Sequence, residues 1–138
     1  MDSTCPFCKL RDERCVLVNQ HVRAFRDAFP ISNGHTLIIS RRHAASIFDL
    51  DEQEQTAIWS TASIIRQQLQ QEFAPDAFNI GMNDGAAAGQ TVRHAHLHVI
   101  PRYAGDVADP RGGMRWVVPS LADYWSRPGE RSAKRDLL

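Results

Sequence analysis

The sequence predicts an α+β fold, in which one long helix packs on a mainly antiparallel five-stranded sheet and a C-terminal arm follows. Two observations indicate this fold. Strand-like runs stand on both sides of a single long segment of helical periodicity, which gives the element order β-β-β-α-β-β. The first two runs lie so close together in the chain that they predict a β-hairpin.

Three strand-like runs precede the helix, at residues 16–19, 21–27 and 35–40. The third is the clearest, because it contains three consecutive aliphatic residues between two polar ones. A loop with Pro30 and an Asn-Gly pair separates it from the second run.

The long helix is predicted to continue to about Glu72, where Ala-Pro-Asp at 74–76 ends it. Asp49 is the predicted N-cap, and Glu52 stands at the capping-box position. Apolar residues recur at helical spacing on one face, while the opposite face is rich in glutamine and glutamate and should face water. The apolar series is Ile58, Ala62, Ile65 and Leu69.

Two further strands follow the helix, at residues 77–83 and 94–100. A loop of small residues, 84–90, joins them, and Pro101 is predicted to end the second strand. These two strands complete the predicted five-stranded sheet.

The character of the sequence changes after the last strand. Residues 103–114 contain aspartate turns, a proline and a Gly-Gly pair, which predict an ordered loop or arm. Residues 115–118 form a short predicted strand, and Ser120 opens a Ser-x-x-Asp capping pattern that predicts a helical turn. Residues 127–138 are polar and are predicted to be frayed.

The chain length of 138 residues allows one domain with a core of its own and does not allow two. The sequence contains no internal repeat. We expect residues 1–105 to form this domain and residues 106–138 to pack on it as an arm and tail.

The charge balance argues against two classes of function. Lysine and arginine together number 16, as do aspartate and glutamate, so the formal net charge is zero. This balance disfavours a general nucleic-acid binder and a polybasic membrane binder. No apolar run reaches the length of a membrane span. Because residues 1–14 are polar and contain no apolar signal region, we expect a cytoplasmic protein.

Two of the three cysteines, Cys5 and Cys8, form a Cys-x-x-Cys pair. In a reducing compartment this spacing favours metal or redox chemistry over a structural disulfide. Together with His43 and one histidine of the run 94–98, the pair suits a tetrahedral zinc site, with a free thiol pair as the alternative. Cys15 has no obvious partner and is expected to be a small buried hydrophobe.

Three histidines at alternate positions, His94, His96 and His98, form the main candidate site. An extended backbone places all three imidazoles on one face of the strand and the apolar side chains between them on the other. Each ring brings two polar nitrogens, so this face cannot be a dry core face without many partners. Such a cluster is typical of a metal or catalytic site, with surface or structurally satisfied histidines as the alternative.

The loop that leads into the histidines predicts a phosphate site. Its glycines let the backbone approach an anion, and its main-chain N–H groups can form an anion-binding nest. Asn83, Gln90 and Thr91 add side-chain donors. A neutral imidazole can accept a phosphoryl or nucleotidyl group, and a neighbouring histidine can stabilise the oxyanion or protonate the leaving group.

Residues 89–102, Gly-Gln-Thr-Val-Arg-His-Ala-His-Leu-His-Val-Ile-Pro-Arg, resemble the signature of the histidine triad (HIT) superfamily of nucleotide hydrolases and transferases. The resemblance extends over roughly residues 5–105. Residues 101–106 are similar to the fragile-histidine-triad branch, whose members cleave dinucleoside polyphosphates, whereas the cysteine pair is similar to zinc-carrying bacterial members. The resemblance implies a HIT-like fold, a nucleotide substrate and a homodimer in which the sheets of two subunits join.

The resemblance also implies roles for the three histidines. His96 would be the nucleophile that attacks the α-phosphate and forms a nucleotidyl-histidine intermediate. His98 would bind the phosphate and assist the leaving group. His94 would orient His96, either through a hydrogen bond or as a zinc ligand.

The remaining site residues follow from the same resemblance. Asp27 would hydrogen-bond the ribose hydroxyls, and His35 would support the phosphate site. The residues implied to hold phosphate oxygens, with the glycine of their loop, are Asn83, Gly89, Gln90 and Thr91. One structural zinc per chain would be held by Cys5, Cys8, His43 and His94, and four protein ligands leave it no open position.

These residues predict an enzyme, most specifically a dinucleoside polyphosphate hydrolase with AMP as a product. A nucleoside phosphoramidate hydrolase, a dinucleoside polyphosphate phosphorylase and a zinc-stabilised nucleotide-binding module with little turnover are the alternatives. Residues 106–125 have no counterpart that we can place in the better-known branches. Within them, Arg111 and Arg115 could contact a polyphosphate tail or be solvated charges.

Overall fold

The computed structural model describes residues 4–126. The chain divides into two compact units, Met1–Tyr103 and Ala104–Leu138. The predicted frayed tail at 127–138 lies outside the described residues, and the predicted packing of the arm on the domain stays a prediction. No helix within the described part of the chain is both long and apolar enough to cross a membrane.

Five strands in the described range form one sheet in the order β1-β2-β3-β5-β4, and every neighbouring pair is antiparallel. The first two strands form the predicted hairpin, with Leu17 opposite Ala24. The α+β prediction is therefore confirmed. The strands are β1 Leu17–Val18, β2 Val22–Arg26, β3 Thr36–Ser40, β4 Ala77–Gly81 and β5 His96–Arg102.

The hydrophobic core lies between the sheet and the long helix α1, Glu52–Phe73. All five residues of the central strand β3 are buried. The four apolar residues predicted for the inner face of α1 are buried, and they pack against alternate residues of β2, β3 and β5. On β5, Leu97 and Val99 belong to this core. Because strand side chains alternate, His96 and His98 are left for the opposite face.

The last strand differs from its prediction at both ends. It begins at His96, so His94 precedes it, and the alternation of faces applies only to the second and third histidines. It also continues through Pro101 to Arg102. Strand β3 pairs with β5 only as far as Val99, so Pro101 has no strand neighbour on that side and its missing N–H costs no ladder hydrogen bond there.

Helix α1 begins two residues later than predicted, with Asp51 as its N-cap. The Asp51 carboxylate accepts from the Glu54 N–H at 2.8 Å, and the Glu54 carboxylate accepts from the Asp51 N–H at 2.9 Å. The predicted cap, Asp49, instead ends a short 3₁₀ helix. Both positions have glutamate three residues later, and a long-range contact distinguishes them, because the Arg42 guanidinium donates to Glu54 at 2.7 Å.

Replacing Asp51 with alanine is expected to lower the free energy of unfolding by about 1 kcal/mol, because the Glu54 N–H at the helix start loses its side-chain cap. The matched variant Asp49→Ala is expected to change it by less than about 0.5 kcal/mol. Urea denaturation followed by circular dichroism measures both values. A larger loss for Asp49→Ala than for Asp51→Ala would contradict the assigned cap.

The C-terminal unit contains a 3₁₀ helix, Gly113–Val117, and a short helix α2, Pro119–Ala122. The predicted strand at 115–118 is therefore wrong. Ser120 lies inside α2, whose first residue is Pro119, so the predicted serine cap is also wrong. Proline is favoured at this position because its φ angle already suits a helix and its missing N–H would be unpaired there.

Candidate functional site

The ring of His94 turns away from the strand toward a cluster with Cys5, Cys8 and His43, which we call the cysteine–histidine cluster. The Nδ1 atom of His94 lies 3.5 Å from the Cys5 sulfur and 3.7 Å from the Cys8 sulfur. The Nδ1 atom of His43 lies 3.3 Å from the Cys8 sulfur. All four potential ligand atoms lie within 4.8 Å of one another. The structure thus brings together the four residues predicted to bind metal.

The geometry of the cluster fits a tetrahedral metal ion. Zinc bonds of normal length place sulfur and nitrogen ligands about 3.5 Å apart, which matches the observed separations. The Nε2 atom of His94 lies 2.7 Å from the main-chain carbonyl of Ser40, which can only accept a hydrogen bond. The proton is therefore on Nε2, and the Nδ1 lone pair faces the two sulfurs. Burial also lowers the pKa of His94, which favours the neutral ring that a metal requires.

His96 is held by the main chain of the residue two positions before it. Its Nδ1 lies 2.7 Å from the carbonyl oxygen of His94, so Nδ1 carries the proton and donates. The lone pair is then on Nε2, the nucleophilic position of the ring. The predicted orientation of His96 by His94 therefore runs through the His94 carbonyl, while the His94 imidazole serves the cysteine–histidine cluster.

His98 receives its orientation from His35. The Ile31 N–H donates to Nδ1 of His35 at 3.3 Å, so the His35 proton is on Nε2. That N–H donates to Nδ1 of His98 at 2.9 Å. The remaining N–H of a neutral His98 is therefore on Nε2, where it can donate to a substrate. An oxygen of Asp27 lies 3.5 Å from Nε2 of His35, so the predicted ribose ligand stands beside this pair.

Burial keeps this pair of histidines neutral. It lowers the pKa of His98 to about 4, and the neighbouring His96 and His35 act in the same direction, whereas Asp27 raises it. Burial also lowers the pKa of His35, against the charge of Asp27. Near neutral pH both rings are uncharged. The hydrogen bond from Nε2–H of His35 to Nδ1 of His98 requires this state, because a protonated Nδ1 could not accept.

The His98 ring is expected to titrate with a pKa of about 4. Asp27→Asn should lower this value further, because the carboxylate favours the imidazolium. Since the folded pKa lies below the ordinary value of 6.5, the unfolded chain binds the proton more readily, and this residue's contribution to stability falls as the pH drops from 6.5 to about 4. Histidine-ring NMR measures the titration, and a pKa raised above 6.5 would contradict the assigned donor chain.

The predicted phosphate loop is ordered by Gln90. Its amide nitrogen donates to the carbonyls of Ala45 and Val92 at 2.7 and 3.1 Å, and its oxygen accepts from the Gly85 N–H at 2.8 Å. Both amide N–H groups of Gln90 therefore donate to main-chain carbonyls. The contact of Gln90 with phosphate stays a prediction. Gly85 and Gly89 have φ angles of 94° and 92°, a conformation that other residues rarely adopt.

The other two predicted phosphate ligands border this loop. Asn83 is half-buried just after β4, and its amide nitrogen lies 3.9 Å from where a side chain on Gly89 would begin. Thr91 is exposed directly after Gln90. The contact of these two residues with phosphate stays a prediction.

Sequence analysis missed two residues of the site, Phe7 and Ser40. Phe7 lies between the two cysteines in the sequence, and its ring makes edge contacts with His96 and His94, with centroid distances of 5.3 and 5.9 Å. The sequence feature that could have indicated Phe7 is its position as an aromatic residue inside the Cys-x-x-Cys motif. Ser40 offers no sequence signal, because its contribution is a main-chain carbonyl.

The two arginines of the C-terminal arm are used within their own unit. Arg111 donates to Asp109 at 2.8 Å and stacks over the Trp125 ring at 4.6 Å. Arg115 stacks over the Tyr124 ring at 4.8 Å and donates to main-chain carbonyls of α2. These contacts give both guanidiniums a structural role within the C-terminal unit.

Comparison with known proteins gives the same family throughout. The sequence profile of the HIT domain matches residues 9–105. An uncharacterized 16.1 kDa HIT-like protein of Mycoplasma pneumoniae is 38% identical over 106 residues, which is 74% of each chain. The asymmetrical bis(5'-nucleosyl)-tetraphosphatase of Schizosaccharomyces pombe is 38% identical over 86 residues, covering 62% of this chain and 47% of that protein.

Solved structures share both the fold and the sequence pattern. A HIT family protein from Bacillus anthracis has a TM-score of 0.70 and 40% identity, covering 77% of this chain and 78% of that chain. A zinc-bound histidine triad family protein from Mycobacterium smegmatis has a TM-score of 0.68 and 28% identity, covering 86% of this chain and 94% of that chain.

Proposed function

The chain belongs to the HIT domain family, and on that premise we propose that it is a nucleotide hydrolase or nucleotidyl transferase with His96 as its nucleophile. One observation carries the proposal. The hydrogen bond from Nδ1–H of His96 to the His94 carbonyl leaves the lone pair of His96 on Nε2. The neighbouring His98, 5.2 Å away between ring centroids, offers an N–H donor. A nucleophile beside a neutral donor suits nucleotidyl transfer.

The proposed reaction is a double displacement at the α-phosphorus. In the first step Nε2 of His96 attacks, a P–N bond forms, and the P–O bond to the leaving nucleotide breaks. In the second step water attacks the same phosphorus and releases a proton, the P–N bond breaks, and AMP leaves. Throughout, Nε2–H of His98 donates to a phosphate oxygen and stabilises the added negative charge.

The preferred substrate class is the dinucleoside polyphosphates. The fission yeast relative, an asymmetrical bis(5'-nucleosyl)-tetraphosphatase, supports this choice. Phosphoramidate hydrolysis uses the same nucleophile with a different leaving group, and phosphorolysis replaces water with phosphate in the second step. Binding without turnover is the remaining alternative, and the experiment below distinguishes all four.

The metal proposed for the cysteine–histidine cluster is one structural zinc per chain. The clustering of two sulfur and two nitrogen ligand atoms within 4.8 Å of one another and the zinc-bound mycobacterial relative support zinc. When bound, zinc holds Cys5, Cys8, His43 and His94 together and takes no part in the chemistry. We also propose a cytoplasmic homodimer joined at a sheet edge, since β1 and β4 are the two edge strands of the sheet that the described residues form.

Product analysis tests the proposed function. Diadenosine triphosphate, diadenosine tetraphosphate and adenosine phosphoramidate are offered to the purified protein, and the products are separated by chromatography. We expect AMP to be released faster from the dinucleotides, and ¹⁸O from labelled water to enter AMP. ADP formation that requires added phosphate would indicate a phosphorylase, cleavage of the phosphoramidate alone would indicate the second hydrolase class, and tight binding without cleavage would indicate a binding module.

A further inference from the structure

The Phe7 ring connects the cysteine–histidine cluster to the proposed nucleophile. Phe7 lies between Cys5 and Cys8 in the chain, so the two cysteines hold its main chain on both sides. Its ring meets that of His96 at 78° and that of His94 at 69°, with a third edge contact to Phe25 at 5.5 Å.

The hydrogen bond of the His96 ring does not fix the orientation of that ring completely. The single bond from Nδ1–H to the His94 carbonyl sets the tautomer, but the ring can still tilt about that bond. Two aromatic neighbours restrict the tilt, namely Phe7 at 5.3 Å and His98 at 5.2 Å between ring centroids. A displacement of about 1 Å at a reacting atom can cost about 100-fold in rate.

The segment that carries Phe7 depends on the cluster for its own order. Residues 4–10 contain no helix or strand. Within the segment, two main-chain hydrogen bonds, both 3.3 Å long, join Lys9 to Cys5 and Leu10 to Phe7. Bonds of this length are weak, so the sulfur ligands at both ends of the motif would add a further constraint on the Phe7 main chain when metal is bound.

We propose that Phe7 is a positioning residue for His96, and that occupancy of the cysteine–histidine cluster sets where the Phe7 ring lies. The cysteine–histidine cluster would then be connected to the proposed nucleophile by a second route besides the His94 main chain, through the Phe7 side chain. This inference rests on the proposed function, because it takes His96 to be the nucleophile. It assigns no chemistry to the metal.

Single-turnover kinetics at saturating dinucleotide test the positioning role. Phe7→Leu is expected to slow the saturating rate about 10- to 100-fold with one zinc per chain retained, and Phe7→Tyr, which keeps the ring, should stay close to the unmodified protein. Phe78→Leu is the matched control, because it makes the same change at a partly buried ring of the core. A raised KM with an unchanged saturating rate would overturn the proposal and assign Phe7 to substrate binding.

Ring NMR of His96 tests the metal dependence without using activity. The ring protons of His96, identified by their loss in His96→Ala, should shift in Phe7→Leu because a ring current is removed. Chelation of the metal from the unmodified protein should move them in the same direction. If chelation leaves them in place, the coupling to the metal is wrong. If the protein shows no His96-dependent cleavage, the proposed function fails, and these shifts still decide whether Phe7 positions His96.

Discussion

Replacing His96 with alanine should reduce turnover by a factor on the order of 10⁴ to 10⁶, which is the usual effect of removing a covalent nucleophile. Nucleotide binding should persist, because His98, Asp27 and the loop around Gln90 remain. The loss follows from the geometry of the ring. Its Nδ1–H bond to the His94 carbonyl leaves the Nε2 lone pair for attack, and alanine offers no nucleophile.

Two variants make this prediction specific. His21→Ala removes a partly exposed histidine outside the site and should leave turnover nearly unchanged. His96→Gly leaves space at the site, and free imidazole should restore part of the activity by taking the place of the missing ring. Rates come from AMP release, and binding comes from calorimetry with a slowly cleaved analogue. Turnover by His96→Ala close to that of the unmodified protein would remove His96 from its role.

Loss of the metal site should produce the largest change in stability. Cys5→Ser is expected to abolish stoichiometric zinc and to lower the free energy of unfolding by about 3 kcal/mol or more, since a ligand at only 100 times its dissociation constant stabilises the folded state by about 2.7 kcal/mol. For a domain of this size the loss corresponds to a fall in Tm of roughly 10 °C. The cause is that the buried His94 loses the metal ion that it would share with Cys5.

Cys15→Ser is the matched control, because it changes the one cysteine outside the cluster. Cys15 was predicted to be buried, but it is only partly buried, and its sulfur bonds the Arg11 carbonyl at 3.7 Å. We expect this variant to keep its zinc and to lose less than about 1 kcal/mol. Metal analysis of protein purified without added zinc gives the stoichiometry, and calorimetry gives Tm. Metal-free unmodified protein with the same Tm would contradict the zinc proposal.

Several features could be predicted from the sequence because they depend on local patterns. The inner face of α1 follows from the spacing of Ile58, Ala62, Ile65 and Leu69, all of which are buried. The alternation of His96 and His98 with Leu97 and Val99 follows from strand geometry, and it holds from His96 onward. The hairpin and the family signature are equally local in origin.

Only the tertiary structure decided how competing or versatile groups are used. Asp49 and Asp51 are equal candidates for the helix cap until Arg42 engages Glu54. The amide N–H groups of Gln90 could donate to a phosphate, but they donate to main-chain carbonyls. One of these carbonyls belongs to Ala45, which is far away in sequence.

In the candidate site too, contacts between distant residues decide how each side chain is used. The position of His94 within the histidine run does not show that its ring faces Cys5 and Cys8, which lie more than eighty residues earlier in the chain. The tautomers of His96 and His98 depend on the acceptor or donor that each nitrogen meets. The residue types determine which kinds of chemistry are available at the site. Folding determines which atom of each residue is used, because hydrogen bonds and metal ligation depend on distances that no local sequence pattern specifies.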